Sequence, residues 1–166
     1  MAETTALDSE STDMKTYQGT GLWSDNGTQI MVYVGPRTKA IYWALFDGAH
    51  WTSKGAAFIG PKAFLKAKTA PALVVFRGAL FMVYQGLEPE NQLYFARRSP
   101  QEHYWSNLGP VKAENGFLLT TISPSLALAS SDDEEIVLMT YKGLDDYLYW
   151  ATFDGTVWAN KGKIPL

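Results

Sequence analysis

The chain repeats itself, and a repeat constrains its fold more than any composition could. Met31-Val32-Tyr33-Val34-Gly35 is followed by Ile41-Tyr42-Trp43-Ala44, then by Trp51 and, four residues on, Gly55. The same order returns as Met82-Val83-Tyr84-Gln85-Gly86, Leu93-Tyr94-Phe95-Ala96, Trp105 and Gly109, and again as Met139-Thr140-Tyr141-Lys142-Gly143, Leu148-Tyr149-Trp150-Ala151, Trp158 and Gly162. Corresponding tryptophans lie 54 and 53 residues apart, and the tyrosines before the glycine 51 and 57 apart. Self-similarity at a fixed period of this length marks one supersecondary unit built several times over. The copies occupy approximately residues 17–66, 67–118 and 119–166 of a single domain spanning 17–166, and leave an acidic tail, 1–16, expected to be disordered.

Each copy reads as strand and turn, with no convincing helical period. In the second, the β-rich runs Ala72 to Phe76, Leu80 to Tyr84 and Gln92 to Ala96 precede a short run around Trp105. Asn26-Gly27, Asp47-Gly48 and Asp154-Gly155 supply the positive φ of tight hairpins, and the charged Ser130 to Glu135 stretch of the third copy reads as a solvated loop. The fold class is therefore all-β, with three four-stranded antiparallel repeats. Units of this size suggest β-propeller blades, but propellers typically close with about 4 to 8 of them. Two chains making a six-bladed homodimer resolve the shortfall. A β-trefoil monomer is the alternative, although the Gln-x-Trp common in ricin-like trefoils is missing.

Composition excludes several functions. The formal net charge is −3 and the four arginines, Arg37, Arg77, Arg97 and Arg98, are dispersed, so no basic stripe is available to neutralise a nucleic-acid backbone. The longest apolar runs are far too short to span a bilayer, and the acidic, polar beginning lacks the apolar core of a secretory signal, which favours a cytoplasmic protein or one released without a signal peptide. There is no cysteine, and two histidines, His50 and His103, make no histidine-based zinc site. No phosphate loop, nucleophile elbow or metal-spaced cluster is present, so no cofactor and no metal are expected. Four scattered arginines do not supply the carboxylate-binding cluster of a sialidase, and Asp132 to Glu135 form a surface run rather than a catalytic pair. A non-enzymatic protein is expected. The sequon Asn26-Gly27-Thr28 falls in a hairpin turn.

The run Ile41-Tyr42-Trp43-Ala44-Leu45-Phe46-Asp47-Gly48-Ala49-His50-Trp51-Thr52-Ser53-Lys54-Gly55 resembles the repeat of the six-bladed fucose-binding lectins of fungi and bacteria. There, a strand ending in Arg-Val-Tyr is followed by Glu-x-x-aromatic-Asp-Gly-x-x-Trp and a glycine. The resemblance implies a multivalent lectin whose blades are completed by association. It also exposes a departure: the family's arginine falls on Met31, Met82 and Met139, and its glutamate on Trp43, Phe95 and Trp150. Charge-assisted hydrogen bonds to sugar hydroxyls are worth about 1.5 to 3 kcal/mol each, so that mode of fucose recognition should be lost.

What remains is aromatic. Trp43, Trp150 and Phe95, with Phe46 and Trp51, Trp105, and Phe153 and Trp158, are candidates for stacking on sugar rings, with Lys142 and Gln85 as polar rims. Such sites would favour an apolar patch, such as an acetamido or methylated sugar, and weak salt dependence. Trp51, Trp105 and Trp158 also keep the fixed distance from a glycine that packing anchors keep, the three methionines read as core, and Asp47 and Asp154 read as turn-forming. Two functions follow: glycan binding made avid by repetition, or a non-catalytic protein-interaction propeller without a sugar site.

Overall fold

The computed structural model describes residues 14–25, 27–131 and 133–165, so the tail up to residue 13 and Asn26 of the sequon lie outside the described residues. Blade one comprises β1 (Gly21–Asp25), β2 (Thr28–Val34), β3 (Ile41–Phe46) and β4 (Trp51–Ala56). A small hairpin, β5 (Phe58–Gly60) and β6 (Ala63–Phe64), leads into blade two, formed by β7 (Ala72–Phe76), β8 (Ala79–Gln85), β9 (Leu93–Arg98) and β10 (Ser106–Pro110). A second hairpin, β11 (Lys112–Ala113) and β12 (Gly116–Phe117), leads into blade three: β13 (Ser125–Ser131), β14 (Glu134–Lys142), β15 (Leu148–Phe153) and β16 (Trp158–Lys163). Each blade is a four-stranded antiparallel meander, and the two linking hairpins had no clear signal in the sequence.

The first strands of the blades gather side by side, with β7 touching both β1 and β13. Separate meanders radiating from their first strands are propeller blades, which overturns the trefoil alternative. The close approach is visible at Gly21, where a Cβ would collide with the Pro71 carbonyl. Within the Ser130 to Glu135 stretch the loop is shorter than expected: β13 reaches Ser131 and β14 starts at Glu134 as a paired, exposed ribbon, with Ser130 opposite Glu135 and Ser131 opposite Glu134. Among the described residues no helix is long and apolar enough to cross a membrane.

The repeated residues have repeated mechanical jobs. Gly55, Gly109 and Gly162 take φ of 80°, 91° and 87°, each beside a register shift in the pairing of the last two strands of its blade. Only glycine enters this region cheaply. Ser53 Oγ, Asn107 Oδ1 and Asn160 Oδ1 accept the N–H of these glycines at 3.3, 3.1 and 3.0 Å. One position after β8 and β14 the chain again needs glycine, because the tyrosine of the next strand lies over it: a Cβ on Gly86 would sit 2.6 Å from the Tyr94 ring, and one on Gly143 2.5 Å from that of Tyr149. Those tyrosines stack on their cross-strand partners, Tyr33 on Tyr42, Tyr84 on Tyr94 and Tyr141 on Tyr149, at 5.6 to 6.0 Å.

Pairing register assigns every strand residue to a face. Val32, Val34, Ile41 and Trp43 of blade one pack against Leu73, Leu80, Met82, Ala96 and Trp105 of blade two. On its other face blade two presents Val74, Phe76, Phe81, Val83 and Phe95 to Val137, Met139, Tyr141, Phe153 and Trp158 of blade three. Both faces of blade two are thus covered, and all seven residues of β8 are buried. The methionines are core as expected where a preceding blade exists: Met82 and Met139 are fully buried, whereas Met31, on the outer face of blade one, is half-exposed.

Candidate functional site

The two blade interfaces have the same architecture and different fillings. Between blades two and three, Phe95 meets Phe153 at 5.7 Å and Trp158 at 5.9 Å, while Phe76 and Phe81 close on Phe153 at 6.1 and 5.8 Å. Five aromatic rings fill that joint. Between blades one and two, register places Trp43 where Phe95 stands, Trp105 where Trp158 stands, and Arg98 where Phe153 stands. Trp43 and Trp105 meet edge to face at 6.4 Å, and the Arg98 guanidinium lies over the Trp43 ring at 4.8 Å.

Arg98 in place of Phe153 and Ile30 in place of Phe81 leave space. A cavity of about 710 Å³ opens at this joint, lined from blade one by Trp23, Ile30, Trp43 and Lys54 and from blade two by Leu80, Arg98, His103, Tyr104 and Trp105. Apolar walls with a few polar groups at this volume are the general form of a small-ligand site. The insertion that replaces the Asp-Gly turn in blade two shapes the rim. Glu102 accepts the Ser99 N–H at 2.6 Å and pairs with Arg97 at 3.3 Å, and these bonds hold its carboxyl below the ordinary range. That pinned turn presents His103 and the exposed Tyr104 at the cavity.

The candidate residues named from the sequence distribute over four environments. Trp43 and Trp105 line the cavity. Phe95, Phe153 and Trp158 belong to the filled joint. Phe46 and Trp51 pair at 5.2 Å on the outer face of blade one, and Trp150 lies half-buried on the outer face of blade three. The polar pair lies elsewhere: Gln85 is 1% exposed and donates to Asn91 Oδ1 and the Thr120 carbonyl, both at 3.1 Å, and Lys142 pairs with Asp146 at 2.5 Å. Gln85 is therefore an interior linker instead of a rim, because its amide satisfies loop groups where Val34 of blade one has nothing to bond.

The clamp positions also separate. Met31 pairs with Ala44 and Trp43 with Val32, so Met31 and Trp43 point to opposite faces of their blade and cannot share a ligand. Asp47 and Asp154 behave as turn formers. Asp47 accepts the N–H groups of His50 and Ala49 at 2.8 and 2.9 Å, and Asp154 those of Val157 and Thr156 at 2.9 and 2.7 Å. These donors hold both carboxyls below their ordinary range. Sequence reasoning missed Arg98, Trp23 and Tyr104. The available signal was Arg98 standing in register with the phenylalanines of the other copies, but that signal is diluted by the different turn that follows it. Among the described residues no group of three metal-ligating side chains is assembled.

No family model and no curated protein sequence matches the chain. Solved structures do. A fucose lectin from Kordia zhangzhouensis, solved with methyl-fucoside, is similar with TM-score 0.57 and 12% identity over 89% of this chain and 100% of that one. The Aleuria aurantia lectin, as a variant bound to α-methyl-L-fucoside, is similar with TM-score 0.60 and 16% identity over 89% of this chain and 45% of that one. An exo-β-1,3-galactanase from Phanerochaete chrysosporium, bound to β-1,3-galactotriose, gives TM-score 0.66 and 9% identity over 92% and 38%. The chain therefore spans under half of the latter two proteins. At these identities the likeness is one of fold, and the chain is three consecutive blades of a β-propeller of the kind seen in fucose lectins.

Proposed function

We propose that this chain is a non-catalytic carbohydrate-binding propeller whose sugar site is the cavity between blades one and two. The observation that carries the reading is the 710 Å³ cavity walled by Trp23, Trp43 and Trp105 with Tyr104 at its side. Indole faces stack on the apolar faces of sugar rings, and a concave aromatic wall removes more of a ring from water than one flat platform does. The lectins among the structural neighbours support the same reading, since both were solved with a fucoside.

The ring closes, in this proposal, by pairing with a second copy. Repeat positions buried inside the molecule are exposed on its two outer faces. Trp105 and Trp158 are 3% and 5% exposed, but Trp51, which has no preceding blade to cover it, is 39% exposed. Leu22 is exposed where Leu73 is buried, and on the far side Leu138 and Thr140 are half-open where Phe81 and Val83 are buried. By the correspondence of the two internal joints, Trp150 of one copy meets Phe46 and Trp51 of the other. Two such joints related by a two-fold axis make six blades and double the number of sugar sites.

A glycan array tests the function. Wild type should bind a restricted set of sugars, and Trp43→Ala should lose that binding while its thermal unfolding midpoint falls by only a few degrees. A blank array with folded wild-type protein would reject the sugar-binding reading and favour a protein-interaction propeller.

A further inference from the structure

Arg98 is the feature of the cavity that a neutral sugar does not explain. Its guanidinium contacts the Trp43 ring, and among the described residues no side chain forms a hydrogen bond or ion pair with it. Of the other two arginines of blade two, Arg97 pairs with Glu102, and Arg77, like Arg98, lies over an aromatic ring, that of Phe76. Arg98 Nε is shielded from solvent and has no acceptor. No aspartate or glutamate side chain among the described residues lines the cavity, whereas Lys54 and His103 line it together with Arg98. A guanidinium half-removed from water without an anion carries a desolvation cost that a bound carboxylate would relieve. Stacking on Trp43 fixes the plane of the guanidinium, and a fixed planar fork matches a carboxylate better than it matches single hydroxyls.

Resting on the sugar-site reading above, we propose that the ligand is a sugar carrying a carboxylate. The apolar ring face stacks on the tryptophan wall and the carboxylate pairs with Arg98. The charge excluded from the family-like clamp positions thus re-enters at a position that is phenylalanine in the other two blades. Salt dependence follows with it: added salt weakens binding, contrary to what the aromatic residues alone would suggest.

Isothermal titration of the full chain with methyl glucuronide, methyl galacturonide and the methyl glycoside of N-acetylneuraminic acid, each against its own methyl ester, provides the test. At least one acid should bind ~10-fold or more tightly than its ester, the size of a charge-assisted hydrogen bond. Arg98→Gln should erase the difference between acid and ester, with the unfolding midpoint nearly unchanged to show that the loss is not one of folding. Equal binding of acids and esters would overturn the carboxylate proposal and leave the sugar site standing, as would a preference that survives Arg98→Gln. No binding of any acid, with neutral glycans bound on the array, would overturn it as well. Silence on both would reject the sugar site itself.

Discussion

Trp51→Ala separates the two surfaces that a tryptophan of this repeat can occupy. In blades two and three the equivalent indole is buried against the preceding blade, and Trp158 lies 5.0 Å from Phe153. In blade one the preceding blade is missing and the residue is 39% exposed. If a second copy covers it to the 5% level of Trp158, a side chain offering about 250 Å² loses a further ~85 Å², worth about 2 kcal/mol at ~25 cal/mol per Å². Two-fold symmetry makes that ~4 kcal/mol per dimer, on the order of 10³ in the dissociation constant. Sedimentation equilibrium across a micromolar series measures it directly. Trp51→Ala should shift the protein toward the 18.4 kDa monomer, whereas Trp158→Ala should cost about 3–5 kcal/mol of unfolding free energy as a core truncation. An unchanged dimer constant in Trp51→Ala would refute the pairing of outer faces.

Gly86→Ala should destabilise the chain by about 1–3 kcal/mol in urea unfolding, because its new methyl would press on the Tyr94 ring, which is tied to the Glu88 carbonyl at 3.1 Å. Acid unfolding should depend on Asp47 and Asp154. Backbone donors lower their folded pKa, so their contribution is present above the unfolded value of about 3.9 and is lost as pH falls through the folded one. Asp47→Asn and Asp154→Asn should therefore flatten the fall of the melting temperature below about pH 4. At the alkaline end, burial pushes the Tyr84 phenol up and that of Tyr141 up to about 12. The stability these two add is present below the unfolded value of about 10 and is lost above it, so phenolate absorbance should show them ionising above that value.

Much of the fold was legible because the repeat constrains it. Trp-x-x-x-Gly recorded a bulge that needs positive φ, and the glycine after the tyrosine strand recorded a ring lying on the backbone. Alternation in each strand showed that two faces exist, but not which neighbour each face meets. That depends on register, and register placed Met31 and Trp43 back to back. The candidate site was legible only as a set of aromatics. Trp43 and Trp105 were in it, yet the cavity arises from what is missing around them, Phe153 of the other joint being replaced by Arg98 and Phe81 by Ile30. A void is a property of two blades together, and no single copy of the repeat carries it. Gln85 shows the same limit from the other side, since a polar residue in a strand reads as surface until its buried partners, Asn91 and the Thr120 carbonyl, are known.

The stoichiometry of sugar binding tests the central claim most directly. The first joint holds the aromatic-walled cavity. The second is filled by Phe153, and a joint made by a second copy would have Phe46 at the same position. Titration calorimetry with the tightest array ligand should therefore give one site per 18.4 kDa chain, abolished by Trp43→Ala and retained in Phe95→Ala. Two or three sites per chain, or a single site that survives Trp43→Ala, would contradict the account.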